Sequence, residues 1–470
     1  MLRPAVIDTH RHYVPSSGIT WSSRSSYFVI GGSERIAVGN RPLIDLLERM
    51  DGRTTLTGVI ASIADERDVP LHEVATSVLP VAQELLDRGI IVASDPAAKD
   101  KPKPKARAML RSNTRKFSHL FLEMTARCNL RCKHCYMEAG QARPNEVALH
   151  DMIRLIDEFA ELGGTFVTLS GGEPLMYRNW PIVAQYAVDR GLRLSMMTNG
   201  SYLDDATLAG IRRFDIGVGL GLDGIRAETH DANRGKGSFD QTIAALDLMV
   251  ADGYQHNVTI CFSALRFNVY DLPGIAEMMI ARGLPRLYVS LMEDRGRAAT
   301  FRDRLEMTAD QKVWLLRYLY RLSRDFRNRL NVEVTHHVPI YQRLLQGDAA
   351  APEDDRSMTI RMESQGELYL SAYMGAGELM VGKAGDDRPL KVVLESDLAS
   401  DIIAACSHRE ERVPKCTRCA YKHLCKGGSA VLAYSKSGSF EEVDDFCEAR
   451  IALFDWLAAE KMAPGMAAGG

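Results

Sequence analysis

The chain has 470 residues, 46% hydrophobic and 25% charged, which is enough apolar material for more than one core and excludes wholesale disorder. Its 58 Lys and Arg against 61 Asp and Glu leave a net charge of −3, so no global field points to nucleic acid or to an anionic membrane. No stretch offers the ~18 unbroken apolar residues of a membrane span, and the opening MLRPAVIDTHRHY is too polar for a secretory signal; the expected location is cytoplasmic.

Taken in chain order, residues 1–95 read as a small αβ unit. Tyr27–Ile30 and Arg35–Val38 flank a Gly-Gly-Ser turn, which predicts a hairpin, and helical patterns follow at Pro42–Met50, Thr55–Asp68 and Leu71–Arg88. Residues 96–116 form a basic, Pro-containing linker: from Lys99 to Lys116 eight basic residues face one acid. Over 117–345 strands and helices alternate. Apolar strand candidates are Leu120–Met124, Phe166–Leu169, Leu192–Met197, Ile216–Leu222, Val258–Phe262 and Leu287–Leu291, with amphipathic helices such as Ser238–Ala251 between them and a long one near Thr308–Asn328. Six β/α repeats predict an α/β fold, a parallel sheet curled into a partial barrel, whose site lies at the carboxyl ends of the strands. Past an acidic, Pro-containing stretch at 347–356, residues 346–470 hold a hairpin-like run at Met358–Ser371, a cysteine-rich segment and a final helix near Val443–Ala459.

Nine cysteines without an export signal argue against a disulfide scaffold. Cys128, Cys132 and Cys135 leave the first barrel strand together; Cys416, Cys419, Cys425 and Cys447 gather near the end, with Cys406 and Cys261 apart. Clustered thiolates in a reducing compartment point to metal. Three thiolates on a four-iron cubane leave one iron open to an outside ligand. Zinc is the alternative at either group, with His134 a conceivable fourth ligand at the first. Cys261 reads as a buried hydrophobe. Among the histidines, His230, His336 and His337 read as polar loop or surface residues rather than proton carriers.

The first group, CX3CX2C followed by Tyr136, resembles the signature of the radical S-adenosylmethionine (SAM) superfamily. The resemblance continues through Ser170-Gly171-Gly172-Glu173-Pro174, Thr198-Asn199-Gly200, Leu222-Asp223-Gly224, His230-Asp231 with Arg234-Gly235, and Gly296-Arg297-Ala298. It implies a [4Fe-4S] cluster on Cys128, Cys132 and Cys135 that chelates SAM. Tyr136 backbone would lie near the adenine, Gly171, Gly172 and Glu173 would meet the amino group, Asn199 the ribose and Arg234 the carboxylate. Reductive cleavage would give a 5′-deoxyadenosyl radical that abstracts a substrate hydrogen. Relatives often carry Ser where this chain has Gly221, so a ribose contact is not expected there.

The second group resembles the auxiliary-cluster extension called SPASM, found in peptide-modifying members of that superfamily. The resemblance implies one auxiliary [4Fe-4S] cluster on Cys416, Cys419, Cys425 and Cys447, and so two clusters in total. The cysteines of a further cluster, expected near Tyr373-Met374, again a little later and at Ser429, are missing. The N-terminal unit resembles the winged-helix element that binds leader peptides, which lends a sheet edge to an extended chain; it holds no dense basic patch for DNA. Together these resemblances imply an oxidoreductase that matures a ribosomally made precursor peptide and takes electrons from a flavodoxin or ferredoxin. The alternatives are a radical SAM enzyme acting on a small molecule or tetrapyrrole and, more remotely, a metal-bound binding protein. No catalytic acid or base is identified.

Overall fold

The computed structural model describes residues 117–335, 358–375 and 377–462, with 12–15, 20–24, 27–31, 36–38, 54–67, 69–87, 91–94 and a few single positions besides. The 96–116 linker, most of the Pro42–Met50 helix, His336 and His337 lie outside the described residues. The chain divides into two compact units, residues 1–114 with 352–355, and residues 115–351 with 356–470.

In the first unit, β1 (His12–Pro15) pairs antiparallel with β5 (Ile91–Ser94), and β2 (Thr20–Arg24), β3 (Tyr27–Gly31) and β4 (Ile36–Val38) form an antiparallel sheet in that order. The β3–β4 hairpin is the one expected around Gly-Gly-Ser. The helices Leu56–Arg67 and Leu71–Asp87 follow. Leu56, Val59, Ile60 and Ile63, at i, i+3, i+4 and i+7, are buried with Tyr13, Leu85 and Ile91. The β1–β5 pairing was not anticipated, because its partners are nearly 80 residues apart and neither strand is long enough to show a period.

The second unit is built on a ten-stranded sheet. β6 (Phe117–Glu123), β7 (Phe166–Ser170), β8 (Arg193–Thr198), β9 (Gly217–Gly221), β10 (Val258–Ala264), β11 (Arg286–Leu291) and β12 (Asn331–Val334) are parallel neighbours in sequence order. All six expected strands are present, and β12 adds a seventh. On the far side of β6 lies β13 (Met358–Met362), also parallel, then β14 (Glu367–Tyr369) and β15 (Gly382–Lys383), antiparallel. β13 and β14 form the hairpin expected at Met358–Ser371, and through β13 it extends the barrel sheet itself. The sequence concealed this, because parallel pairing of β13 with β6 joins segments 240 positions apart.

Side chains sort by alternation. Leu120, Leu122, Val167, Leu169, Leu194, Met196, Val218, Leu220, Ile260 and Phe262 pack outward in one core with helices such as Leu149–Glu161 and Trp180–Asp189. The opposite face is polar and cross-linked from strand to strand: His119 Nε2 to Thr168 (2.8 Å), Thr168 to Ser195 (2.8 Å), and Ser290 to Ser263 (3.1 Å). The sheet curls around this face, since Tyr288 on β11 meets the hydroxyl of Tyr373, which follows β14 many strands away. Beyond β15, helices Asp397–Cys406 and Ala430–Ser437 lead to Cys447–Met462, which lies along Ala309–Asp325 through Lys312–Asp445 (2.5 Å) and Arg317 to the Ala452 carbonyl (3.0 Å). That last helix starts four residues later than expected because the Asp444 carboxylate accepts from Phe446 N (2.9 Å) and Ser429 N (2.6 Å) in a turn of its own. No described helix is long and apolar enough to cross a membrane.

Candidate active site

The loop holding Cys128, Cys132 and Cys135 leaves the carboxyl end of β6 with all three thiols partly exposed. A loop without regular structure must find partners for its backbone elsewhere. Cys128 N donates to the Gly140 carbonyl and Gly140 N to that of Ala126, both at 2.9 Å. The Glu146 carboxylate accepts from Ala126 N (2.7 Å), Arg143 N (2.9 Å) and Thr125 Oγ1 (2.9 Å). Arg297 braces the other side, donating through Nη1 to the Cys132 carbonyl (2.9 Å) and through Nη2 to that of Ala139 (2.6 Å), while its backbone N reaches Cys135 O (2.9 Å). Gly296 beside it has φ +56°, and a Cβ there would lie 2.1 Å from the Tyr136 carbonyl oxygen, so only glycine lets these backbones meet. Two thiols accept backbone N–H groups, Cys128 from Leu130 (3.4 Å) and Cys135 from Ala139 (3.3 Å). Burial pushes the Cys132 thiol up to about 12 and raises that of Cys128, so thiolates here call for a bound cation.

Gly171 and Gly172 lie against the base of this loop. A Cβ on Gly171 (φ +127°) would fall 2.4 Å from Thr125 O, and one on Gly172 would fall 2.3 Å from Arg127 O. Gly172 N donates to Thr125 O (2.7 Å) and Glu173 N to Arg127 O (2.8 Å). The glycines thus serve backbone-to-backbone docking of the β7 turn on the cysteine loop. Glu173 is completely buried, and burial raises its pKa. Its Oε1 accepts from Thr198 Oγ1 (2.7 Å) and Leu175 N (3.1 Å), and Oε2 from Asn199 N (2.8 Å). The carboxylate ties β7 to β8 and keeps acceptor capacity only on Oε2. Asn199, held this way, sends Nδ2 to Asn129 Oδ1 (3.0 Å), with Cys128 Sγ at 4.0 Å.

Asp223, after β9, is the hub on the opposite side. It is fully buried, and although burial opposes its charge, Arg234 and its other partners hold its pKa far below the carboxylate range. Oδ2 accepts from Arg234 Nε (2.6 Å) and Asn233 Nδ2 (2.8 Å), and Oδ1 from Ser263 N (2.9 Å). Asn233 clamps the cysteine loop, its carbonyl accepting from Lys133 N (2.9 Å) and its Oδ1 from His134 N (3.3 Å). His134 is therefore engaged by the helix Ala227–Arg234, and burial lowers its pKa. A Cβ on Gly221 would lie 2.5 Å from Arg234 Nη1 and Nη2, so glycine there gives the guanidinium its place. His230 is not a surface residue: it is fully buried, its Nδ1 accepts from Asp223 N (3.1 Å), and burial lowers its pKa to about 4. The sequence set it on the surface because a short polar helix hides which face turns inward. Cys261 is buried, as expected, on the barrel's inner face beside Met197 and Gly219, its thiol pushed up to about 12 by burial.

Tyr136 turns its ring inward between Arg295 (4.8 Å) and Arg361 (4.9 Å), with its hydroxyl on Glu123 (2.9 Å). Arg361 is fully buried; it pairs with Glu123 (2.7 Å) and Glu363 (2.9 Å) and donates to the carbonyls of Ala372 (3.2 Å) and Met374 (3.0 Å). A guanidinium thus fastens the loop that lacks the cysteine expected near Tyr373-Met374. At the other vacant position, Ser429 caps the helix Ala430–Ser437, accepting from Leu432 N (3.2 Å). The alternation Thr359-x-Arg361-x-Glu363 around Ile360 and Met362 was the one signal that could have marked Arg361 as inward-facing.

Cys416, Cys419, Cys425 and Cys447 all line one cavity of about 290 Å³, together with Tyr421, Phe454 and Arg450. Cys406 is not among its lining residues. Burial pushes the Cys416 thiol up to about 11 and raises that of Cys447.

Residues 122–291 match the radical SAM superfamily model, and they span the cysteine loop and the glycine, Asn199 and Asp223–Arg234 elements that face it. That span is a radical SAM domain. The chain is 28% identical over 348 residues to the Fe-coproporphyrin III synthase of Methanosarcina barkeri, covering 69% of this chain and 86% of that one. It is 26% identical over 330 residues to the mycofactocin maturase MftC of Mycobacterium tuberculosis, covering 69% and 81%. Among solved structures, anSMEcpe with bound AdoMet and a peptide overlays with a TM-score of 0.59 at 18% identity, over 73% of this chain and 97% of that one. SuiB of Streptococcus suis bound to precursor peptide SuiA gives 0.57 at 17%, over 92% and 99%. At these identities the structural likenesses show the fold alone.

Proposed function

We propose that this radical SAM enzyme matures a precursor peptide. Cys128, Cys132 and Cys135 would hold a [4Fe-4S] cluster, Cys416, Cys419, Cys425 and Cys447 a second, and residues 1–95 would bind the leader. The observation that carries the first assignment is the thiol loop stapled on both flanks by Arg297 and Asn233 at the carboxyl rim of the parallel sheet. When bound, the reduced cluster and SAM supply a 5′-deoxyadenosyl radical for hydrogen abstraction. The residues of this chain would place them: Arg234, fixed by Asp223, offers its guanidinium to the SAM carboxylate, Asn199 stands by Cys128 for the ribose, and the Gly171–Glu173 turn meets the amino group. The polar inner face of the barrel would seat the substrate and exclude water.

For the second site, the fit favours a cluster over zinc. Four thiols around a cavity of about 290 Å³ leave room for a cubane, where a structural zinc would draw its four ligands in around one ion. With Arg361 fastening the Tyr373-Met374 loop and Ser429 capping a helix, where the SPASM resemblance would place further cysteines, two clusters are expected. The antiparallel sheet of the first unit has open edges at β2 and β4 among the described residues, suited to adding an extended peptide strand, and a tethered leader raises the concentration of the core segment at the barrel.

A tetrapyrrole substrate is the second reading, favoured by the Fe-coproporphyrin III synthase likeness. Reconstituted, reduced enzyme given either a candidate precursor peptide from its own gene neighbourhood or a panel of iron tetrapyrroles tests both. Coupled 5′-deoxyadenosine release with a mass change in the peptide supports maturation; turnover of a tetrapyrrole alone overturns it. Replacing Cys128, Cys132 and Cys135 with Ala abolishes SAM cleavage and lowers iron from about eight to about four atoms per chain.

A further inference from the structure

Three arginines, Arg361, Arg409 and Arg450, are among the largest fully buried side chains, and one of them, Arg450, lines the four-cysteine cavity. Burying a guanidinium is costly unless it is matched by opposite charge. Arg450 pairs with Asp444 Oδ1 (2.9 Å) and Oδ2 (3.0 Å), and both side chains are almost wholly buried. Gly428 makes room for the pair: a Cβ there would lie 2.3 Å from both Arg450 Nη2 and Asp444 Oδ2. Asp444 is anchored in turn by Ser429 N and Phe446 N. Nearby, Arg409 donates to the carbonyls of Gly427 (3.1 Å) and Glu442 (2.7 Å), and Asp444 is the carboxylate that acts most strongly on it as well. Two guanidinium groups therefore flank the Cys425–Ser429 turn, and the buried Asp444 carboxylate is ion-paired with one of them, Arg450. Arg450 is the member of the ion pair that reaches the cavity wall, which it lines together with Cys425 and Cys447.

We propose that Arg450 sets the reduction potential of the centre held by Cys416, Cys419, Cys425 and Cys447, raising it so that this centre readily accepts one electron. The inference rests on the reading of that cavity as a four-iron site. A [4Fe-4S] cluster on four thiolates goes from a doubly to a triply negative unit when one electron is added, with no proton required, and a fixed cation at the wall favours the more negative form. The apolar side chains of Ile451 and Phe454 line the same cavity, so the interaction is only weakly screened.

The full chain with Cys128, Cys132 and Cys135 replaced by Ala isolates the second centre for an EPR-monitored redox titration. Two further substitutions in that background change the field in opposite senses. Arg450→Gln removes the cation and keeps the charge of Asp444, which lowers the potential, so that at fixed poise the oxidised-to-reduced ratio rises at least tenfold, equivalent to about 59 mV for one electron. Asp444→Asn leaves Arg450 uncompensated and raises the potential. Unchanged potentials, or shifts of the same sign, overturn the inference. If Arg450→Gln fails to hold iron, the direction of the Asp444→Asn shift decides alone. Iron and sulfide analysis of the parent triple variant separates the two levels: absence of a four-iron centre sinks the cavity assignment, whereas a loaded centre indifferent to both substitutions sinks only the role of Arg450.

Discussion

Arg297→Met tests whether the cysteine loop is held in place by the β11 side of the barrel. The side chain donates two charge-assisted hydrogen bonds to loop carbonyls, to Cys132 at 2.9 Å and Ala139 at 2.6 Å. Bonds of this kind contribute roughly 1.5–3 kcal/mol each. Arg297 is only partly buried, so water can replace part of what is lost, and about 2–4 kcal/mol for the pair is the reasonable range. Met keeps the bulk of the aliphatic stem, and the backbone bond from Arg297 N to Cys135 O remains. Local opening of residues 128–140 becomes about 30- to 1000-fold more frequent at that cost, while the apolar core, which Arg297 does not join, is unaffected. Amide hydrogen exchange across the loop should accelerate by that factor, and a ferrous chelator should strip iron from the first site correspondingly faster, with the second site unaltered. Wild-type exchange and chelation rates in Arg297→Met would refute the idea that this guanidinium holds the loop.

Three further outcomes are expected. Gly172→Ala brings a Cβ to 2.3 Å from the Arg127 carbonyl oxygen, a clash with backbone that cannot swing aside, and should cost about 3 kcal/mol or more in urea denaturation of the barrel. Gly221→Ser sets a side chain against the Arg234 guanidinium and should weaken SAM binding about tenfold, read by equilibrium dialysis, with iron content retained. His230 titrates at about 4 in the fold against 6.5 unfolded. Below 6.5 the unfolded chain therefore binds the extra proton, so stability is full above 6.5 and declines by roughly 1.4 kcal/mol per pH unit down to about 4. His230→Asn, which preserves an acceptor for Asp223 N, should flatten that slope; an identical slope in both proteins would count against the assignment.

The division between what could be read and what could not follows the range of the interactions. The six strands and the Ser238–Ala251 helix were legible because their patterns complete themselves within a few residues. β12 and the pairing of β13 with β6 were not, since four- and five-residue strands carry too little periodicity and parallel partners leave no local trace. Gly296 and Arg297 were noticed as a motif, yet their contact with the carbonyls of Cys132, Cys135 and Ala139 required the loop to be folded back over β11. The resemblance gives Gly171 and Gly172 a close backbone approach to the SAM amino group; in the structure the cysteine loop itself approaches closely enough to demand glycine.

The sequence by itself determined the chemistry available: three thiols in eight residues and a spaced set of four, metal-ligand sets that are visible without the fold. Only the tertiary structure decided the charges around them. Tyr136 between Arg295 and Arg361 unites residues far apart in the chain, whereas Asp223 with Arg234 and Asp444 with Arg450 are near in sequence and are brought together as buried pairs by the packing around them. Burial makes such charges consequential, and burial is a property of the packed fold.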